Sequence, residues 1–260
     1  MKKLLLVSLA IFLLIGICAC SSKEEHQTKP VELTISAAAS LNEALNELKK
    51  SFEKEHTYIK IFYNIGASGA LKQQILQGAP VDLFLSASHD QFNELAQEGL
   101  IEEQYQVDFL GNQLVLITNK ENPLQLNVFS DLADSQFSKI AIGIPESVPA
   151  GKYAKQTLQN IGIWEQIQPA IIQTKDVRQV LTYVETGNVD AGIVYMTDVK
   201  VSDKVKVVAV ADEQTHDSII YPAGIINSTE NIKEAKLFLD YLHSNAAKTI
   251  FEKYGFKVLD

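Results

Sequence analysis

The stretch VELTISAAASL, residues 31–41, changes character halfway along: an alternating apolar run gives way to three alanines, a serine and the first residue of a helical pattern. It reads as a strand feeding a helix. Leu41, Ala44, Leu45, Leu48 and Phe52 recur at helical spacing, and Ser40 followed three residues later by Glu43 is the signature of a capping box. Ser40 therefore falls at a predicted helix N-terminus, where the first-turn amides lack internal partners and the helix dipole adds about half a positive charge. Two readings stay open at this point: Ser40 caps its own helix, or the hydroxyl and those amides hold an anion without any basic side chain.

The same arrangement recurs downstream. Residues 58–65 alternate as a strand, and Gly66-Ala-Ser-Gly69 then opens a helix carrying Leu71, Ile75 and Leu76, stopped by Gly78 and Pro80. Residues 81–85 form a short apolar strand, and the helix around Phe92 and Leu95 ends at Gly99. Residues 114–118 are a further strand, followed by turns through Asn122 and Pro123. A second series then runs through a strand at 140–143, a loop at 145–151, and a helix bearing Tyr153, Ala154, Thr157, Leu158 and Ile161. After a strand at 171–174, Asp176 is placed to cap the helix of Val177, Val180, Leu181 and Val184. Strands at 191–195 and 205–210 follow, then an apolar stretch at 219–226 broken by Pro222 and Gly224. Helices at 232–242 and 246–254, the latter capped by Gly255, complete the series. Strands alternating with helices predict an α/β fold with parallel sheets covered on both faces. Ligands bind such sheets at the carboxyl ends of their strands, where Ser40 and Ser68 both fall.

Residues 1–19 have the layout of a secretory signal: Lys2 and Lys3 precede an apolar run from Leu4 to Ala19, short for a membrane span. The run ends Ile17-Cys-Ala-Cys20, which is similar to the cleavage box of bacterial lipoproteins and makes Cys20 the expected lipidated residue. Cys18 fits less well behind bulky Ile17, and a disulfide across one intervening residue is a strained spacing. Residues 20–30 are polar and without periodicity, the composition of a flexible tether. Net charge is −9, and becomes −11 once residues 1–19, with their two lysines and no acid, are removed. That balance argues against nucleic acid as a partner.

Five segments carry a resemblance: residues 37–41 (AAASL), 66–70 (GASGA), 148–151 (VPAG), 176–178 (DVR) and 192–195 (GIVY), with residues 78–84 (GAPVDLF) between the second and third. In this order and spacing they resemble the molybdate-binding lipoproteins of bacterial ABC importers, as does the ending FEKYGF at 251–256. The resemblance spans nearly the whole chain after the signal. It implies a type II periplasmic-binding-protein fold of two α/β lobes joined by two crossover strands, the ligand lying in the cleft. One lobe would be residues 31–112 with 221–260, the other residues 113–220. It implies a tetrahedral oxyanion, molybdate or tungstate, held by neutral groups: hydroxyl and amide from Ser40 and Ser68, backbone amides of Ala150 and Val177, and the phenol of Tyr195. It further implies an ABC permease and its ATPase as partners, a monomer lipid-anchored at the outer face of the cell membrane, no cofactor, and no catalysis. Gly69 departs from relatives that carry a hydroxyl residue there, and is expected to make that turn more flexible.

Arg178 and Lys152 each follow an expected ligand residue; both read as solvated or structural cations rather than anion ligands. Without the resemblance, Tyr195 reads first as a core tyrosine. A serine hydrolase is the rival from another class, but GASGA misses the G-x-S-x-G elbow at its last position, and His56, His89, His216 and His243 read as surface residues. Residues 146–153 lack the first glycine and the Ser/Thr of a phosphate-binding loop, and no Cys or His spacing suits a metal cation. Within transport, a receptor for sulfate, phosphate or an organic anion on the same fold is the alternative.

Overall fold

A computed structural model describes residues 30–134 and 136–259; the expected signal, Cys20 and all of the tether but Pro30 lie outside them. Two sheets organise the chain. The first contains β1 (Val31–Ala38), β2 (Ile59–Gly66), β3 (Leu83–Leu85), β4 (Ile101–Gly111), β10 (Ile220–Ile226) and β11 (Lys257–Val258), in the order β11-β4-β10-β3-β1-β2. The second contains β5 (Leu114–Asn119), β6 (Ile140–Gly143), β7 (Ile171–Thr174), β8 (Ala191–Tyr195) and β9 (Val205–Val210), in the order β7-β6-β8-β5-β9.

The helices of the first lobe are α1 (Asn42–Glu55), α2 (Ser68–Leu76) and α3 (His89–Gln97). The second lobe carries α4 (Pro149–Asn160), α5 (Trp164–Ile167), α6 (Val177–Glu185) and α7 (Met196–Val199). α8 (Ile232–Tyr241) and α9 (Asn245–Lys253) return to the first. Their sequence logic is plain at several ends. Asp176 Oδ1 accepts from the Gln179 amide at 2.9 Å, the cap expected of it, while Gly78, Gly99 and Gly255 take the positive φ that ends α2, α3 and α9.

Each sheet has a parallel heart, β3-β1-β2 in one and β7-β6-β8 in the other, but neither is wholly parallel. β10 runs antiparallel to both β3 and β4, and β5 runs antiparallel to both β8 and β9. The expectation of purely parallel sheets is corrected here: each lobe borrows strands that arrive from the other, and these enter reversed. β4 is an eleven-residue strand unforeseen in the sequence. Its outer half, rich in Glu and Gln, is exposed, and the polarity hides an alternation in which Ile101, Tyr105, Val107 and Phe109 occupy odd positions.

Register fixes the site. β1 pairs with β2 so that Ala38 lies opposite Gly66, which brings the two following segments, starting with Ala39 and Ala67, to the same level. In the second sheet Gly143 lies opposite Thr174, so β6 and β7 also end together. The chain changes sheets twice, between Gly111 and Leu114 and between Val210 and Ile220. The two passages run side by side, since Gly111 pairs with Ile220 and the Asn112 amide donates to Ile219 O at 3.2 Å. Aromatic contacts lock the first lobe: Phe52 meets Phe238 and Tyr241 edge-on, each at 5.2 Å between centroids.

Candidate functional site

The carboxyl ends of β1, β2, β6, β7 and β8 converge where the two lobes face each other. Ser40, Ser68, Ala150, Val177 and Tyr195 all line one small cavity there, together with Ala38, Ala39, Gly66, Ala67, Ala87, Val148 and Pro149. About 10 Å³ of it is open to the centre of a water molecule. A groove of about 430 Å³ along Asn112, Ile219 and Lys257 is larger but contains none of the five.

Ser40 does not cap α1. A single 3-10 turn, Ala39–Leu41, intervenes and the N-cap position falls to Leu41, without a side-chain cap bond. The turn delays the helix, so Glu43 occupies its second position rather than its third, and the expected capping box cannot close. Ser40 Oγ instead lies 2.9 Å from the Tyr221 hydroxyl, either of which could donate, and Glu43 pairs with Arg178.

Ser68 is the first residue of α2 and is fully buried. The Ala87 amide donates to its Oγ at 3.0 Å; with that lone pair taken, the hydroxyl hydrogen is free for the cavity. Ala87 was not anticipated. Its signal was available in the Ser86-Ala-Ser88 run directly after β3, which repeats the small-residue turns after β1 and β2; Ser86 Oγ donates to Ser88 O at 2.8 Å and shapes that turn.

Ala150 and Val177 both border the cavity. Both lie in the first turn of a helix, where N–H groups have no internal acceptor. Pro149 presets the start of α4, and Gly151 lets it sit directly on β6: a Cβ at 151 would be 2.0 Å from Gly143 O. Tyr195 ends β8, with its amide donating to Asp198 Oδ2 at 3.1 Å. Its ring is 1% exposed, and its hydroxyl is buried without a hydrogen-bond partner among the described residues. Burial raises the phenol well above its ordinary range, so it is a donor at any physiological pH. An orphaned buried O–H in a cavity otherwise bordered by helix starts is the mark of a site built for an acceptor.

No lysine, arginine or histidine lines the cavity. Arg178 is engaged by Glu43 and by buried Asp198 at 3.2 Å, and Lys152 by Asp90 and by Asp217 at 2.9 Å. The two cations are structural. Burial lifts Asp198 to about 6, against the opposing pull of Arg178 and the Tyr195 amide. Glu43 and Asp90 belong to the first lobe, so both cations also strap the lobes together.

Gly69 adds a third bridge. Its amide donates across the cleft to Ser147 O at 2.9 Å. A Cβ here would lie 2.7 Å from that oxygen and 2.8 Å from Ser147 Cα. The expectation of a more flexible turn is therefore corrected: the missing side chain permits close approach of backbone to backbone. His56, His89, His216 and His243 are half-buried rather than on open surface, and none borders the cavity.

Residues 33–257 match the family of bacterial extracellular solute-binding proteins. A Bacillus subtilis chain provisionally named the ABC transporter substrate-binding lipoprotein YvgL is 48% identical over 251 residues, 96% of each chain. The molybdate-binding protein ModA of Haemophilus influenzae is 35% identical over 232 residues, 86% of this chain and 89% of that one. A solved Clostridium difficile structure, provisionally described as the substrate-binding domain of a molybdenum ABC transporter, superposes with a TM-score of 0.69 at 42% identity, covering 88% of this chain and 100% of that one. With its two lobes, the cleft between them and a match over nearly its full described length, the chain belongs to the bacterial extracellular solute-binding proteins, a family of exported receptors and not of enzymes.

Proposed function

We propose that this chain captures molybdate, with tungstate as a second ligand of the same shape and charge, outside the cytoplasm and delivers it to an ABC permease driven by a cytoplasmic ATPase. The observation that carries the reading is the orphaned hydroxyl of Tyr195, buried in a neutral cavity that three helix-start residues and Ser40, in the 3-10 turn before α1, complete. The ModA relatives, molybdate-binding by name, support it from the sequence side.

The chemistry follows from the donor set. A dianion stripped of water needs a full complement of hydrogen bonds, and charge-assisted bonds contribute roughly 1.5–3 kcal/mol each. Ser40 and Ser68 each supply hydroxyl and amide, Ala150 and Val177 amides, and Tyr195 its phenol, roughly seven donors in all. An oxyanion that keeps a proton would bury an O–H with nothing to accept it. The ligand docks on one lobe and the other closes over it; the lobes are residues 31–112 with 221–260, and 113–220, moving about the paired passages. The chain acts as a monomer tethered through lipid on Cys20, in keeping with the lipoprotein name of the B. subtilis relative.

Sulfate is the second reading. It too is fully deprotonated at neutral pH, and the small cavity leaves room for an anion smaller than molybdate. Calorimetric titration of residues 21–260 with molybdate, tungstate, sulfate and phosphate separates the readings. Tight one-to-one binding of the first two alone is the expected result; binding of sulfate without molybdate would transfer the assignment, and silence with all four would overturn it.

A further inference from the structure

Tyr221 is fully buried on β10 and does not border the cavity, yet it touches Ser40, which does. Its hydroxyl has a second neighbour, Asn112 Nδ2 at 3.0 Å, in the first passage between the lobes. Asn112 Oδ1 accepts from the Gln113 amide at 2.9 Å, which fixes the amide's orientation. Nδ2 thus faces Tyr221 and, at 2.9 Å, Thr197 Oγ1, so each of its two hydrogens has an acceptor.

The directions follow by elimination. An amide nitrogen only donates, so the Tyr221 oxygen accepts from Asn112. The phenol has one hydrogen of its own, and among the described residues its other hydrogen-bond partner is Ser40 Oγ. That hydrogen occupies a lone pair of Ser40, and the serine's own hydrogen is turned toward the cavity. We propose that Tyr221 is a positioning residue that makes Ser40 a hydrogen-bond donor to the ligand, and that through it the site refuses oxyanions carrying a proton. The inference rests on the oxyanion reading above. Ser68 is set the same way, but by the Ala87 main-chain amide, which every substitution short of proline leaves in place. Ser40 is the serine whose polarity a single atom controls.

Tyr221→Phe frees Ser40 to rotate and accept. Calorimetry should show molybdate affinity falling about fivefold to tenfold, the worth of one misdirected hydrogen bond. Millimolar hydrogen phosphate should displace molybdate from the variant where it does not from the parent. In the Ser40→Ala background, Tyr221→Phe should change molybdate affinity by less than about twofold, because its route to the ligand is gone. Asn112→Ala, which removes the donor that orders the phenol, should shift selectivity in the same direction by less, and serves if Tyr221→Phe does not fold. Equal loss for all oxyanions, continued refusal of hydrogen phosphate, or a full effect of Tyr221→Phe without Ser40 would each overturn the positioning role while leaving the site intact. A parent chain that binds no oxyanion would remove the site, and this inference with it.

Discussion

The centre of the cleft and its rim are built from opposite materials. At the centre stand neutral donors, two hydroxyls, a phenol and the starts of helices, in a cavity from which every charged side chain is absent. At the rim stand two cations, each held between a carboxylate of its own lobe or linker and one from the facing lobe. The difference teaches a division of labour. A cation at the centre would attract any anion and blur discrimination, whereas fixed dipoles reward an anion only in the right place. Cations at the rim are already neutralised by carboxylates, so they add no free charge to the cleft; they tie one lobe to the other.

The comparison is broken most severely at the backbone bridge between the two regions. Gly69→Ala places a methyl against Ser147 of the other lobe, and a clash between lobes is relieved by opening the cleft. Ligand affinity should fall by roughly thirtyfold or more, while the unfolding temperature of the ligand-free protein moves by no more than about 2 °C. Gly151→Ala is the contrast, since its clash with Gly143 O lies within one lobe and can only be relieved by disturbing the fold. An unfolding midpoint equally lowered in both variants would remove the distinction.

Tyr195→Phe tests the centre. Loss of one charge-assisted bond should weaken binding about tenfold to a hundredfold. Because the hydroxyl is buried without a partner, its removal should leave the ligand-free protein as stable or more so. Opposite signs in calorimetry and thermal unfolding are expected; a parallel loss in both would make Tyr195 a core tyrosine after all.

The rim gives smaller effects. Glu43→Gln cuts the interlobe half of the Arg178 bridge and leaves the guanidinium on Asp198. As the pair is partly exposed, ligand release should quicken only about twofold to fivefold, and the difference should vanish at high salt. Stopped-flow release at two ionic strengths reads this directly. Arg178→Met is the harsher change, for it leaves Asp198 buried without its cation, and the loss should appear in stability more than in release.

The smallest effect is a pH slope. Burial raises Asp198 from the ordinary 3.8 to about 6, so the folded state holds this proton more tightly than the unfolded chain does. Its contribution to stability is complete below about pH 4 and is lost as pH rises through 6. Asp198→Asn should therefore flatten the pH dependence of the unfolding temperature between pH 4 and 6, a window in which the parent loses this contribution.

Much of this was legible before any coordinates. The α/β alternation, the Asp176 cap, the glycine stops after α2, α3 and α9, and the placing of Ser40 and Ser68 after strands could be read because each depends on local rules of period, cap and turn; Ala150, Val177 and Tyr195 came only from the resemblance of ordered segments to a known family. The misreadings share a cause. Ser40 and Glu43 satisfied a local capping pattern, but each has a stronger partner far away, Tyr221 and Arg178. β4 escaped because its pairing with β10, not its composition, makes it a strand. Gly69 looked flexible because nothing in its neighbourhood names Ser147, which approaches from the other lobe.

The sequence by itself determined most of the elements and which of their ends could receive an anion, since helix starts, small-residue turns and strand ends are consequences of a few adjacent residues. Only the tertiary structure decided which way the hydroxyls point, which charges cancel, and where the lobes touch. Those depend on groups distant along the chain meeting within hydrogen-bond range, such as Ser40 with Tyr221 or Gly69 with Ser147, and no local pattern encodes a partner that packing alone supplies.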